Sequence, residues 1–272
     1  MAYQGQKYVS KVMNRDGYVI VLPNVKDMAS LMQTNPPDPY AESSSQLFPL
    51  GTKIVQGERS WVYCKNAASG LNIAAPIQAA ARVHAEMDDD IEVGAAAAIG
   101  ATAVELTSTA NLAAAPLSTA NGIAEGYLIV NDAAGEGQCY KIKSHDAFSG
   151  VADSTINLYD ALTIALTTSS KCGLVQNPYA NVIVTAAVVT GKVIGVPLIA
   201  VTASYYFWAQ CWGPAPVVAQ AAIALGTEVV VGTSAGKADP AAAATTEVFI
   251  GEAMTPGIAD TESFICFLRL DR

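Results

Sequence analysis

Gly232-Thr-Ser-Ala-Gly236 fits G-x-S-x-G, the sharp turn that exposes a nucleophilic serine between a strand and a helix. The first half of that reading holds, because Glu228–Val231 has the composition of a strand. The second half fails. Lys237-Ala-Asp-Pro240 stops a helix at its start, and both histidines, His84 and His145, precede Ser234, whereas a serine hydrolase of that fold needs one after it. Ser234 therefore reads as part of a Gly/Ser turn between strands, and His145, beside Asp146, as a loop residue.

Metal chemistry fares no better. Asp88, Asp89, Asp90 and Glu92 offer oxygen ligands without the alternating spacing and turning glycine of a calcium loop, so they read as a solvated acidic loop. Asp132 and Glu136 read the same way. Cys64, Cys139, Cys172, Cys211 and Cys266 are far apart, contain no C-x-x-C pair and, with two histidines, make no zinc pattern. Among the 24 acidic residues no pair is singled out for glycoside hydrolysis. Gly135-Glu-Gly-Gln-Cys-Tyr140 ends in tyrosine where a dinucleotide fingerprint needs glycine, and no phosphate loop is present. The expectation is a protein that is not an enzyme and uses no metal and no cofactor.

What must be positioned instead is an uncharged stretch, since no ionisable carboxylate, lysine or arginine occurs between Val193 and Thr227. Within it, an extended segment would place Tyr205, Phe207, Ala209 and Cys211 on one face and Tyr206, Trp208, Gln210 and Trp212 on the other. A strand apolar on both faces is covered on both sides, which makes Tyr205, Tyr206, Phe207, Trp208 and Trp212 candidates for core or subunit interface. The same aromatics could serve as a sugar-stacking platform. A membrane span is disfavoured by Gly195, Pro197, Gly213, Pro214 and Pro216 and by the lack of flanking basic clusters. Two or three strands with turns are expected here: Val193–Val196 running into Leu198–Val201, then Tyr205–Trp212, then Val217–Ala219.

The chain has 272 residues, 51% of them hydrophobic and only 14% charged. A surface so poor in charge is expected to be covered by copies of itself or by partners. The net charge of −9, with no basic cluster, argues against nucleic acid as a partner. Cysteines placed in apolar runs point to reduced core thiols and assembly in a reducing cytoplasm, and no apolar run near Met1 is long enough for a secretory signal.

Residues 1–50 read as an extended N-terminal arm, with one short strand at Tyr18–Leu22 and the proline-rich Asn35-Pro-Pro-Asp-Pro-Tyr40. Such an arm is either an ordinary flexible terminus or a segment that orders on a neighbouring subunit. Its candidate contact residues are Pro36, Pro37, Pro39, Tyr40 and Phe48. Strands are expected at Thr52–Gln56, Ser60–Cys64, Thr102–Thr107, Tyr127–Asn131, Gln138–Ser144, Thr155–Tyr159, Cys172–Gln176, Val182–Thr185, Glu228–Val231, Glu247–Ile250 and Ser263–Arg269, while Ile77–Met87 fits a short helix or a strand. Regular short strands separated by Gly, Pro, Asn and Asp predict an all-β sandwich or barrel. The expected division is an arm at 1–50 and β-rich domains at 51–177 and 178–272, or one continuous β body at 51–272.

Several segments resemble capsid decoration (cement) proteins and related virion structural proteins of tailed bacteriophages. They are Leu50-Gly-Thr-Lys-Ile-Val55 through Gly57-Glu-Arg59 to Trp61-Val-Tyr-Cys-Lys-Asn66; Gly126-Tyr-Leu-Ile-Val-Asn-Asp132 with Gly135-Glu-Gly137; Ala203-Ser-Tyr-Tyr-Phe-Trp208 with Trp212-Gly-Pro214; and Gly251-Glu-Ala253 with Phe267-Leu-Arg-Leu-Asp271. The resemblance is one of composition and phrasing across most of residues 48–272, with no diagnostic motif. It implies a β-rich homotrimer on the outer capsid surface that clamps the phage major capsid protein, made in the bacterial cytoplasm, with no catalytic residue. A tail or fibre component binding host glycans is the alternative.

Overall fold

The computed structural model describes residues 12–15, 18–21, 37–242, 247–258 and 260–270. The protein is all-β, and its strand pairs are antiparallel; a 3-10 turn at Ala85–Met87 interrupts them. The chain divides into two compact units, one built from Met1–Ala80 together with Pro178–Arg272 and the other from Ala81–Asn177. The division differs from the expected one: residues 51–80 belong with the C-terminal strands, and the second unit is an insertion between them. Sequence periodicity marks strands but says nothing about which distant strands pair.

The first unit begins with β1 (Val12–Arg15), β2 (Tyr18–Val21), β3 (Lys53–Gln56), β4 (Arg59–Lys65) and β5 (Ile77–Gln78). The inserted unit follows, as β6 (Ile91–Ala95), β7 (Ala103–Leu106), β8 (Tyr127–Asp132), β9 (Cys139–His145), β10 (Ser154–Leu158) and β11 (Lys171–Val175). The chain then returns to the first unit through β12 (Ile183–Val184), β13 (Val193–Pro197), β14 (Tyr206–Val218), β15 (Glu228–Val231), β16 (Ala238–Pro240), β17 (Phe249–Ala253) and β18 (Ser263–Arg269). Ile77–Met87 is thus neither one helix nor one strand; it splits between β5, the junction of the units and the 3-10 turn.

In the inserted unit the strands close into a barrel in the order β10-β7-β6-β11-β8-β9. Alternation explains it: β7 and β10 bury every second residue, so Val104, Leu106 and Ile156 point inward beside Leu128, Val130 and Ile142. The long connection from β7 to β8 adds Leu112, Leu117 and Ile123 to the same core, each fully buried and each contributing about 1.5–3 kcal/mol by leaving water.

In the first unit one sheet runs β1-β2-β3-β4-β14-β18-β17-β15-β16, and β13, β5 and β12 branch from β14. The hairpin β1–β2 pairs with β3, so part of the expected arm is sheet. Strand β14 organises the unit. It pairs with β4 over Tyr206–Trp212 and with β18 over Trp212–Val218, and Trp212 is the residue where the two ladders meet. A bulge between Gln210 and Trp212 and the positive φ of Gly213 turn the strand there; a Cβ on Gly213 would run into the Glu58 carbonyl.

The expected break at Pro214 and Pro216 does not occur, and β14 is continuous. Residues 214, 216 and 218 share a parity, and the Val218 N–H goes to the Ala74 carbonyl at 3.1 Å on the side away from β18. The prolines therefore give up donors that the β18 ladder does not use. Leu198–Val201 forms no strand; only Val201 bridges, to Leu71. No helix among the described residues is long and apolar enough to cross a membrane.

Candidate functional site

Ser234 lies in the turn between β15 and β16, and a strand follows it where the nucleophile motif needs a helix. Its N–H donates to Gln220 Oε1 at 2.6 Å, and the neighbouring Thr233 N–H donates to Asp239 Oδ2 at 3.2 Å, so the loop is a closed hydrogen-bonded turn. His84 caps the 3-10 turn, its Nδ1 accepting from the Glu86 N–H at 3.1 Å. His145 is not a loop residue: it ends β9 and is buried. Its Nδ1–H donates to the Asp146 carbonyl at 2.7 Å and its Nε2 accepts from the Ile123 N–H at 3.0 Å. Burial lowers its pKa, and the two partners fix a neutral ring.

Asp88, Asp90 and Glu92 of the acidic run are matched by cations. Arg82 pairs with Asp88, and Lys171 Nζ sits 2.7 Å from Glu92 and 3.3 Å from Asp90. The hydrogen bond that Lys171 donates to the Glu92 carboxylate raises the Lys171 pKa. Among the described residues no group of three His, Cys, Asp or Glu side chains is arranged to hold a metal ion. Cys64, Cys172, Cys211 and Cys266 are buried and form no disulfide, and Cys139 is exposed. Burial pushes the Cys172 and Cys266 thiols up to about 12 and that of Cys64 well above its ordinary value, which keeps all three protonated and unreactive.

The aromatic stretch divides between two cores as the alternation predicts. Trp208 packs with Phe48, Tyr63 and Trp61, while Phe207, Ala209 and Cys211 pack on the other face with Val62, Cys64 and Ile77. Tyr206 stacks on Tyr63 with centroids 6.0 Å apart, and Tyr205 is half-buried beside the second cluster. Phe207 and Trp208 are thus core of a single chain and present no free ring to a sugar or a subunit. Trp212, half-buried like Tyr205 and Tyr206, lies beyond the bulge with its ring edge-on to Phe267 at 5.7 Å.

The arm residues also fold back. Phe48 is only 8% exposed, 5.4 Å from Tyr63 and 5.2 Å from Trp208 between ring centroids. Pro37 and Pro39 are buried, Ser43 bridges to Tyr206, and Tyr40, at 58% exposure, points to solvent. Pro36 lies outside the described residues. Residues 37–50 are therefore docked on their own body instead of reaching out, because aromatic burial of Phe48 outweighs the freedom of a loose segment.

The surface that periodicity did not single out is the outward face of β14, β18 and β17. Opposed residues of an antiparallel pair share a face, and the register puts Trp212 opposite Arg269, Pro214 opposite Phe267, Pro216 opposite Ile265, and Phe267 opposite Glu252. The inward partners, Ala215, Val217, Phe264, Cys266 and Leu268, fill a core of their own. A cleft of about 420 Å³ beside Trp212, walled by Val55, Gly57 and Ser60, continues this apolar face toward β3 and β4. The signal available in the sequence was the alternation of Trp212, Pro214 and Pro216; it was obscured by treating the prolines as a strand end. Comparisons with protein-family models, with curated proteins and with solved structures found no match.

Proposed function

We propose that this chain is a non-enzymatic virion structural protein, a capsid decoration protein that clamps neighbouring major capsid subunits on the outer shell and associates with its own copies as a homotrimer. The observation that supports this reading best is the outward apolar row Trp212, Pro214, Pro216 with Ile265 and Phe267, on a chain whose surface has few charges. A contiguous apolar face of that kind is suited to protein contact, and identical weak contacts repeated over a shell add through avidity. The neutral His145 and the cation-matched Asp88, Asp90 and Glu92 are each held by a structural partner, which fits a protein selected for rigidity.

The test is rebinding. Purified chain is added to expanded phage heads stripped of decoration, and the heads are sedimented. Stoichiometric co-sedimentation together with greater resistance of the heads to heat is expected. A chain that stays in the supernatant at micromolar concentration overturns the proposal.

A further inference from the structure

The connection from β7 to β8, residues 107–126, is tied at its far end to His145, the last residue of β9. The Asn121 N–H donates to the His145 carbonyl, the His145 N–H donates to Asn121 Oδ1, and the Ile123 N–H donates to His145 Nε2, each at 3.0 Å. The ring bond is the one that protonation can break, because an imidazolium has no lone pair left to accept from Ile123. Nδ1–H is already committed to the Asp146 carbonyl at 2.7 Å, so an added proton goes to Nε2.

The surroundings of the ring, which is 2% exposed as a residue, favour the neutral form. Residues 107–124 carry no ionisable side chain, and neither does β10, which sets Ile156 opposite His145. Phe148 packs on the ring with centroids 6.1 Å apart. On its own strand Lys141 and Lys143 alternate away from the buried side. The Asp146 carboxylate favours the charged ring, and burial outweighs it. Glu125, the one acid of the connection, acts on Tyr127 and Lys141 instead.

We infer that His145 is a pH-operated latch: protonation of its ring expels the Ile123 N–H and frees the connection to leave the barrel while the strands stay paired. Leu112, Leu117 and Ile123 are fully buried in the barrel core, so release bares an apolar surface that the latched state hides. Strands β7 and β8 are not neighbours in the closed barrel, so the connection can open without breaking a strand pair. Opening takes up a proton, because the freed imidazole returns to its ordinary value of about 6.5 while the latched ring lies lower. Latching is therefore complete above that value. Each pH unit below it raises the open population by up to about tenfold, until the lowered value is reached. The inference stands apart from the proposed function, and either can fail without the other.

Hydrogen exchange of the full chain tests it, read as protection factors so that the pH dependence of the exchange chemistry cancels. From pH 7 to pH 5 the protection of the Leu112, Ser118, Asn121 and Ile123 amides is expected to fall about tenfold or more. It should lie throughout below that of Val130 and Leu158, whose N–H groups are held by the Gln138 and Thr102 carbonyls. In His145→Gln, a side chain that does not titrate, the same connection amides should start less protected and stay level. Wild-type protection that stays level, that falls as far in the variant, or that matches Val130 and Leu158 at every pH overturns the inference. Should the variant not fold, the wild-type series and its comparison with Val130 and Leu158 still decide.

Discussion

The two carboxylate oxygens of Glu42 accept from the backbone N–H and the Oγ1 hydroxyl of Thr202, each at 2.7 Å, across 160 positions of sequence. This clamp and the burial of Phe48 hold residues 37–50 against β4 and β14. Glu42→Ala should therefore cost about 1–3 kcal/mol for two hydrogen bonds to a charged group, and Phe48→Ala about 3–5 kcal/mol. Limited proteolysis checks the location: cleavage within residues 37–50 should speed up in both variants while the barrel unit remains resistant.

His145 gives the barrel unit a pH dependence of known sign. Its pKa is lowered in the folded state by burial, so near pH 6 the unfolded chain binds more protons at this residue than the folded one. Stability is then full above the unfolded value of about 6.5 and falls as pH drops from there toward the lowered folded value. Urea denaturation between pH 8 and pH 5 should show this loss. In His145→Gln the slope over that window should flatten, with a lower plateau because the bond to the Ile123 N–H is disturbed.

Trp208 and Trp212 should behave oppositely although they are four residues apart on one strand. Trp208→Ala empties a packed aromatic cluster and should cost about 3–5 kcal/mol in chemical denaturation. Trp212→Ala removes a half-exposed ring and should cost about 1 kcal/mol, while weakening self-association several-fold in sedimentation.

Thiol titration separates the cysteines. Under native conditions at pH 8 a disulfide reagent should modify one thiol per chain, Cys139, and in denaturant all five. Rapid native modification of Cys64 or Cys211 would show that the second cluster opens far more readily than its burial implies.

Much of the fold was legible because strand character is local. Glu228–Val231 and Ser263–Arg269 are strands at the expected residues, and Tyr127–Asn131 with Gln138–Ser144 is a hairpin within a residue or two of expectation. Ile91–Ala95 was missed, since Glu92, Gly94 and Ala95 carry little β signal; its pairing with β7 and β11 makes it a strand. Pro214 and Pro216 misled for a related reason. Proline forbids a strand only when the ladder needs its donor, and that depends on which neighbour lies on each side.

By itself the sequence determined that the chain is all-β, that Tyr205–Trp212 is apolar on both faces, and that Gly232–Gly236 is a turn, because alternation, turn chemistry and missing histidines are properties of neighbouring residues. Only the tertiary structure decided that the aromatics fill two separate cores, that residues 37–50 fold back onto the body, and that a six-stranded barrel is inserted between halves of one unit. Those outcomes depend on pairing between residues as far apart in sequence as Ser43 and Tyr206, and the free energy of such contacts exists only once the partners meet.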